Sequence, residues 1–222
     1  MNKRAMTAEA KAIKAQSILD MAAEMFASSE YDRIKMSDIA KKMHISNGIL
    51  FVYFKTKEAL FFSLLCREYE KRLGKFADMI QHTSISSFDD FKKLVMEELS
   101  ELVDQNILYI RLESMRSAIL EKNVDAELML AQKMSLYRQA MHVATLMSQN
   151  NILTAGEVMD ILQTEASIIT GCWFSATLPA AVMDIIEKNE LDGFKRDFKK
   201  DVLDTMRYYL DGYRMNTGIT NE

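Results

Sequence analysis

Breakers are scarce in this chain: one proline and seven glycines in 222 residues. With Ala, Leu, Ile, Met, Lys and Glu abundant, that scarcity points to an almost wholly helical protein. Cysteine is scarce too. Cys66 and Cys172 lie far apart and have no ligand-like spacing, which excludes a disulfide framework and a zinc site and fits a reducing cytoplasm. The N-terminus, MNKRAMTAEAKAIKAQ, has basic residues but no apolar core followed by a cleavage site, so it does not read as a signal peptide. Catalytic motifs are missing as well: there is no Gly-rich phosphate loop, no His-Glu-x-x-His, no Gly-x-Ser-x-Gly and no Cys-x-x-Cys. His44, His82 and His142 are widely spaced. Nothing nominates an enzyme, a metal or a cofactor.

What is present is unevenly distributed. Residues 1–57 hold 10 Lys/Arg against 6 Asp/Glu, and residues 58–222 hold 18 against 26. The N-terminal end is therefore the one suited to meet phosphate. One long uncharged run, ASIITGCWFSATLPAAVM over 166–183, approaches the ~20 apolar residues of a membrane span. Its Ser, Thr and Pro residues and its flanking Glu165 and Asp184 instead predict a buried helix that ends in a turn before Pro179, with no membrane partner.

Apolar periodicity predicts a helix over 11–28, with Ala15, Ile18, Leu19, Ala22, Met25 and Phe26 on one face. A short helix follows at about 36–43, then a turn at His44-Ile45-Ser46, then a helix from Asn47 to about Tyr53 capped by Ser46. Thr56 opens a long helix that runs from Lys57 to about Ile80. Two very short helices joined by a tight turn, between two longer ones, make a helix-turn-helix. Beyond it, helices are expected at about 87–104, 107–121, 124–149, 155–177, 179–189 and 193–214. The domains divide as 11–70 and 71–222, sharing the helix that begins at Lys57.

The stretch HISNGILFVYFKTK (44–57) carries the functional signal. Its Ile, Phe, Val and Tyr favour a sheet, but no partner strand is within reach. As a helix it turns Leu50 and Phe54 inward with Ile45 and leaves Asn47, Gly48, Ile49, Val52 and Tyr53 toward the outside. For Phe51, packing on the following helix and a surface contact are equally supported. Exposed aliphatic residues beside lysines require a covering partner. DNA supplies thymine methyls and phosphates, and a glycine at the helix start allows close backbone approach.

These residues carry a resemblance. SILDMAAEMFASSEYDRIKMSDIAKKMHISNGILFVYFKTKEAL is similar to the DNA-binding domain of TetR-family transcriptional regulators, over about residues 11–65. The resemblance implies phosphate contacts from Tyr53 and Lys57, and places Ser46, Asn47, Gly48 and Ile49 at the groove-facing start of the recognition helix. It also implies a homodimer, a palindromic double-stranded operator, and an all-helical second domain that binds a small-molecule effector and dimerises. The chain departs from the motif at four places. Glu30 and His44 stand where glycines are usual, Lys35 stands where a Thr would cap, and Phe51 replaces a tyrosine. Lys35 exchanges a cap for a phosphate-binding cation, and Phe51 and Val52 weight the surface toward apolar readout.

In the second domain, Glu113 and Glu165 sit in apolar stretches and, with Met115, Met134, Tyr137, Met141 and Trp173, form the candidate effector pocket. Seventeen methionines suit an adaptable cavity, although core filling is the simpler account of any single one. Arg111, Arg116 or His142 would suit an anionic effector instead. The last helix shows Phe194, Phe198, Val202, Met206, Leu210 and Tyr213 as a stripe. Phe174, Phe198, Val202, Met206 and Leu210 are the candidate dimer residues. The leading expectation is a ligand-released repressor. A helical protein-interaction module with a basic surface and no specific operator is the alternative, and salt dependence separates the two.

Overall fold

The computed structural model describes residues 8–217; residues 1–7, the first part of the basic N-terminal segment, and 218–222 lie outside the described residues. Among those described, every regular element is helical, as predicted. The helices are α1 (Ala8–Ser28), α2 (Met36–Lys42), α3 (Asn47–Tyr53), α4 (Lys57–Gln81), α5 (Phe88–Gln105), α6 (Ile107–Met115), α7 (Ala126–Met147), α8 (Ala155–Ala176), α9 (Ala180–Lys188) and α10 (Phe198–Thr217).

Caps explain where the helices begin. Ser87 with Asp90, and Thr154 with Glu157, form capping boxes at the starts of α5 and α8. Hydrogen bonds from Ser86 and then Ser87 hold the Asp90 carboxyl down at about 2. Thr56 caps α4 by accepting from the Ala59 amide at 3.0 Å. Pro179, at φ −56° and ψ 144°, stands at the N-cap of α9 and separates it from α8. The uncharged run thus breaks before Pro179 as expected, but it is not a buried helix: from Ala166 to Met183 only Ile169 is buried, because one face of α8 and most of α9 have no neighbour among the described residues. Among the described residues no single helix is long and apolar enough to cross a membrane, though α8 and α9 together, bent by 60°, reach that length and composition.

Two predicted helices differ from what is found. The stretch 107–121 is interrupted: Arg116–Leu120 is π-helical, a form that local sequence patterns do not announce. The last helix begins at Phe198 and not at 193, because Asp192–Phe194 forms a separate 3-10 turn and Lys195 is extended.

The chain divides into two compact units. The N-terminal unit comprises the residues up to Glu68 and, in addition, Met115–Lys133. Ile18, Ala22, Phe26, Ile39, Leu50, Leu60, Phe61 and Leu64 make its core. Phe61 stands edge-on to Phe26 and Tyr31, with ring centroids 5.5 and 5.1 Å apart. The C-terminal unit comprises Tyr69–Ser114 and the chain from Met134 onward. There α10 packs against α5 and α8, and Val202, Met206 and Leu210 are buried with Leu99, Val158, Ile161 and Ile169.

Candidate nucleic-acid interface

The turn into α3 is built from residues that look unsuited to it. His44 takes φ 53°, a left-handed conformation that histidine tolerates better than most side chains. Its amide donates to Lys41 O at 3.1 Å and the Ile45 amide donates to Ala40 O at 3.0 Å. Those two bonds close α2 in the manner of a Schellman motif, with His44 in the position that usually takes glycine. Glu30 needs no such freedom. It sits at φ −75°, ψ 149°, and the chain turns through the 3-10 segment Tyr31–Arg33. The α2 N-cap, Lys35, makes no side-chain cap and is exposed.

The Ser46 hydroxyl accepts from the Ile49 amide at 3.3 Å and starts α3. Of the seven residues of α3 only Leu50 is buried, and Phe54 is buried just beyond it. Ile49 and Phe51 are each 46% exposed and Val52 is 75% exposed, while Asn47 and Gly48 also face solvent. Phe51 therefore belongs to the surface more than to the core. A Cβ on Gly48 would meet nothing nearer than Ser46 Oγ at 3.9 Å, so nothing inside the chain requires a glycine there. Beside α3 lies an apolar groove of about 530 Å³, lined by Ile13, Lys14 and Ser17 of α1 and by Ile45, Ile49, Val52 and Tyr53.

Lys57 is placed differently from a free surface cation. Its Nζ donates to Tyr31 O at 2.8 Å and to Ile34 O at 3.1 Å, and lies 3.8 Å from the Tyr31 ring centroid. Burial pulls its pKa below the usual lysine value, with the Asp32 and Glu58 charges opposing. Two of its three N–H groups thus fasten the 3-10 turn to the start of α4. The residues after α3 are tied down from a distant part of the chain. Thr56 Oγ1 donates to Asn123 O at 2.9 Å, and Lys55 Nζ pairs with Asp125 Oδ2 at 3.3 Å. Asn123 and Asp125 were invisible to sequence reasoning, since contact across 67 and 70 positions leaves no local signal.

The predicted effector residues are not gathered into one pocket. Glu165 and Glu113 are buried in the C-terminal unit, in a charged cluster centred on Arg72. The Arg72 guanidinium donates from Nε and Nη2 to Glu98 at 2.8 and 2.7 Å, from Nη2 to Glu165 Oε2 at 2.5 Å, and from Nη1 to Tyr109 Oη at 3.1 Å. Tyr69 Oη donates to Glu113 at 2.5 Å. Burial opposes the charge on Arg72, but Glu165 and then Glu98 keep it protonated well above the usual value. Burial pushes Glu165 up to about 7 against the pull of Arg72. Its Oε1 is buried and finds no hydrogen-bond partner among the described residues. Met134 and Tyr137 are exposed on α7 and so do not line an enclosed cavity, Met141 is half-buried, Met115 belongs to the N-terminal unit, and Trp173 packs edge-on against Phe198 at 5.3 Å.

The dimer stripe needs correction. Val202, Met206 and Leu210 are 0% exposed because α5 and α8 of their own chain consume that face of α10. A side chain covered within its own protomer cannot face a second one. Phe198 is half-buried against Trp173, Phe174 is exposed, and Phe194 lies in the 3-10 turn, exposed, outside α10.

Residues 18–64 match the model of bacterial regulatory proteins of the tetR family, and residues 67–217 match the tetracyclin repressor-like C-terminal domain. An uncharacterized HTH-type transcriptional regulator, YuxN, of Bacillus subtilis (strain 168) is 38% identical over 66 residues, which is 30% of this chain and 23% of YuxN. The fatty acid metabolism regulator protein of the same strain is 31% identical over 68 residues, 31% of this chain and 33% of that protein. The chain thus matches about a quarter to a third of the length of these curated relatives. Among solved structures, the fatty acid degradation regulator FadR from Bacillus halodurans shares the fold, with a TM-score of 0.56 and 19% identity over 90% of this chain and 96% of that one. The family matches cover both halves of the chain, and it belongs to the TetR family of DNA-binding transcriptional regulators, which are not enzymes.

Proposed function

We propose that this protein is a cytoplasmic homodimeric repressor that reads a palindromic operator through α3 and releases it when a small molecule binds in the C-terminal unit. The observation that carries the DNA reading is the outward face of α3. Ile49, Phe51 and Val52 are exposed around an unobstructed Gly48, and Lys35 at the start of α2 and Lys41 and Lys42 at its end are exposed as well. Apolar side chains so placed suit thymine methyls, and the lysines suit the phosphates on either side. Asn47 offers an amide to a base edge, and Tyr53 and the Ser46 region offer donors to the backbone. A two-fold pair of such helices calls for half-sites about one DNA turn, ~34 Å, apart.

The effector half of the proposal is supported by α7. From Met134 to His142 no side chain is fully buried, whereas Val143, Ala144 and Met147, further along the same helix, are. A helix under-packed over nine residues, with Met141 among them, has room for a ligand to complete its packing. Ligand and operator then act as linked equilibria, each lowering affinity for the other by the same factor.

The test is selection of a duplex from a randomised pool, followed by affinity measurements for selected and random duplex at rising salt. Asn47→Ala and Tyr53→Phe should each weaken selected-duplex binding about tenfold. If selected and random duplex bind alike at every salt concentration, the protein is a basic interaction module and the operator reading fails.

A further inference from the structure

We propose that Asn47-Gly48 is a self-modification site, at which loss of ammonia converts Asn47 to aspartate or isoaspartate and ends operator binding. The inference rests on the reading of α3 as the DNA-facing helix and adds a chemical route by which that face is lost. Of the chain's asparagines, Asn47 alone is followed by glycine. Asn106, Asn123, Asn150, Asn151 and Asn189 are followed by Ile, Val, Asn, Ile and Glu, whose side chains crowd the next backbone nitrogen. Gly48 puts no Cβ beside its nitrogen and leaves the approach open.

Both reacting groups are unoccupied. Asn47 and Gly48 are exposed, and neither the Asn47 side chain nor the Gly48 amide has a hydrogen-bond partner among the described residues. The first amides of a helix find no acceptor in a preceding turn, and the Ser46 hydroxyl is taken by the Ile49 amide at 3.3 Å. Three other asparagine side chains are engaged. Asn106 Oδ1 accepts from the Tyr109 amide at 3.0 Å, Asn189 Nδ2 donates to Ile185 O at 2.8 Å, and Asn150 Nδ2 donates to Ile85 O.

The helical backbone at Asn47 holds the Gly48 nitrogen away from Cγ, so the reaction waits for the first turn of α3 to open. That turn is held by the Ser46 hydroxyl and by Ser46 O, which accepts from the Ile49 and Leu50 amides at 3.0 and 3.2 Å. A helix this short, with Leu50 as its one buried residue, opens readily at its end. The Gly48 nitrogen then gives up its proton and bonds to Asn47 Cγ, the Cγ–Nδ2 bond breaks, and ammonia leaves with that proton, closing a five-membered succinimide. Water adds across one of the two ring C–N bonds, its hydroxyl going to the carbonyl carbon and its proton to the ring nitrogen. Opening at Cγ leaves aspartate; opening at the main-chain carbonyl carbon leaves isoaspartate, with the chain routed through the side chain. The net change is uptake of water and release of ammonia.

Either product places a carboxylate at the groove-facing start of α3. Phosphates repel it, and it accepts hydrogen bonds where the amide could also donate. The free protein tolerates the same charge, because the amide dipoles favour a carboxylate in the first turn of a helix. The modification therefore removes DNA reading without unfolding the unit. A duplex lying over α3 keeps the first turn closed, so protein on its operator is spared and protein off it is converted.

Peptide mass spectrometry of the full chain, incubated at mildly alkaline pH with and without the selected duplex, tests this. Asn47 is expected to gain the mass of an NH2-to-OH exchange before any other asparagine, and more slowly with duplex present. Gly48→Ala should nearly abolish the gain. The modified protein, separated by ion exchange, should bind the selected duplex at least about tenfold more weakly, and Asn47→Asp should reproduce that loss with an unchanged melting temperature. An Asn47 that stays intact while a free peptide of sequence SNGIL reacts to completion would overturn the proposal, as would modified protein with undiminished operator affinity. Equal rates with and without duplex would overturn the protection. A protein that selects no duplex would overturn the operator reading and the loss of binding together, while the mass at Asn47 would still decide the site.

Discussion

Helices α3 and α10 are both rich in apolar residues, and they place them in opposite ways. In α10, Val202, Met206 and Leu210 recur at steps of four with charged residues between, and all three are fully buried against α5 and α8. In α3, Leu50 is the one buried residue, and Ile49, Phe51 and Val52 remain outside around the other sides of the helix. A neighbour within the chain can cover one stripe of a helix. Apolar residues in excess of that stripe have nowhere to go internally, and they mark the surfaces left for something else. The same distinction holds within α9, where Ile186 is buried and Val182 and Ile185 are not.

The largest effect that would break the comparison comes from placing a charge on each helix. Val202→Asp buries an unpaired carboxylate and should destabilise the C-terminal unit by about 4 kcal/mol or more. Val52→Asp should change thermal stability by no more than ~0.5 kcal/mol, as surface substitutions do. Calorimetry of both variants checks this, and equal losses would show that α3 is packed in solution.

A second effect separates the interiors of the two units by pH. Glu165 is faced by Arg72 from α4, Glu98 from α5 and Tyr109 from α6, and burial raises its pKa to about 7. Because the folded protein then binds a proton that the unfolded chain releases near its ordinary value of 4.5, the contribution to stability is present in full below that value. It declines as pH rises and is lost through about 7. Denaturant midpoints measured between pH 5 and 8 should therefore fall with pH, and Glu165→Gln should flatten the slope. An equally steep slope in the variant would assign the dependence elsewhere.

The smallest effect concerns Gly48. Alanine there favours helix by ~0.5–1 kcal/mol and has open space, so Gly48→Ala should leave stability equal or slightly higher while weakening operator binding. A binding loss without a stability loss is the signature of a position shaped by a partner. Loss of both in parallel would return Gly48 to the fold.

Much of α1 to α4, and the break after α8, was legible because the determinants are local: apolar spacing, the Ser46 and Thr56 caps, and Pro179 at the break. What was not legible depends on which element lies beside which. The α10 stripe has the pattern of an interface, and only the presence of α5 and α8 shows that it is already covered. Lys57 looks like a surface cation until Tyr31 O and Ile34 O are found beneath it. Arg72 reads as one more charge on a long helix, yet it joins Glu98 and Glu165 across 26 and 93 positions. The membership of Met115–Lys133 in the N-terminal unit belongs to the same class of long-range fact.

The most direct measurement of the central claim is the affinity of Ile49→Ser/Val52→Ser for the selected operator and for random duplex, alongside its melting temperature. The double substitution removes two of the three exposed apolar side chains of α3 without altering charge. The account predicts an unchanged melting temperature, unchanged binding to random duplex, and operator affinity reduced toward the random value. Operator affinity equal to that of the unaltered protein would contradict it.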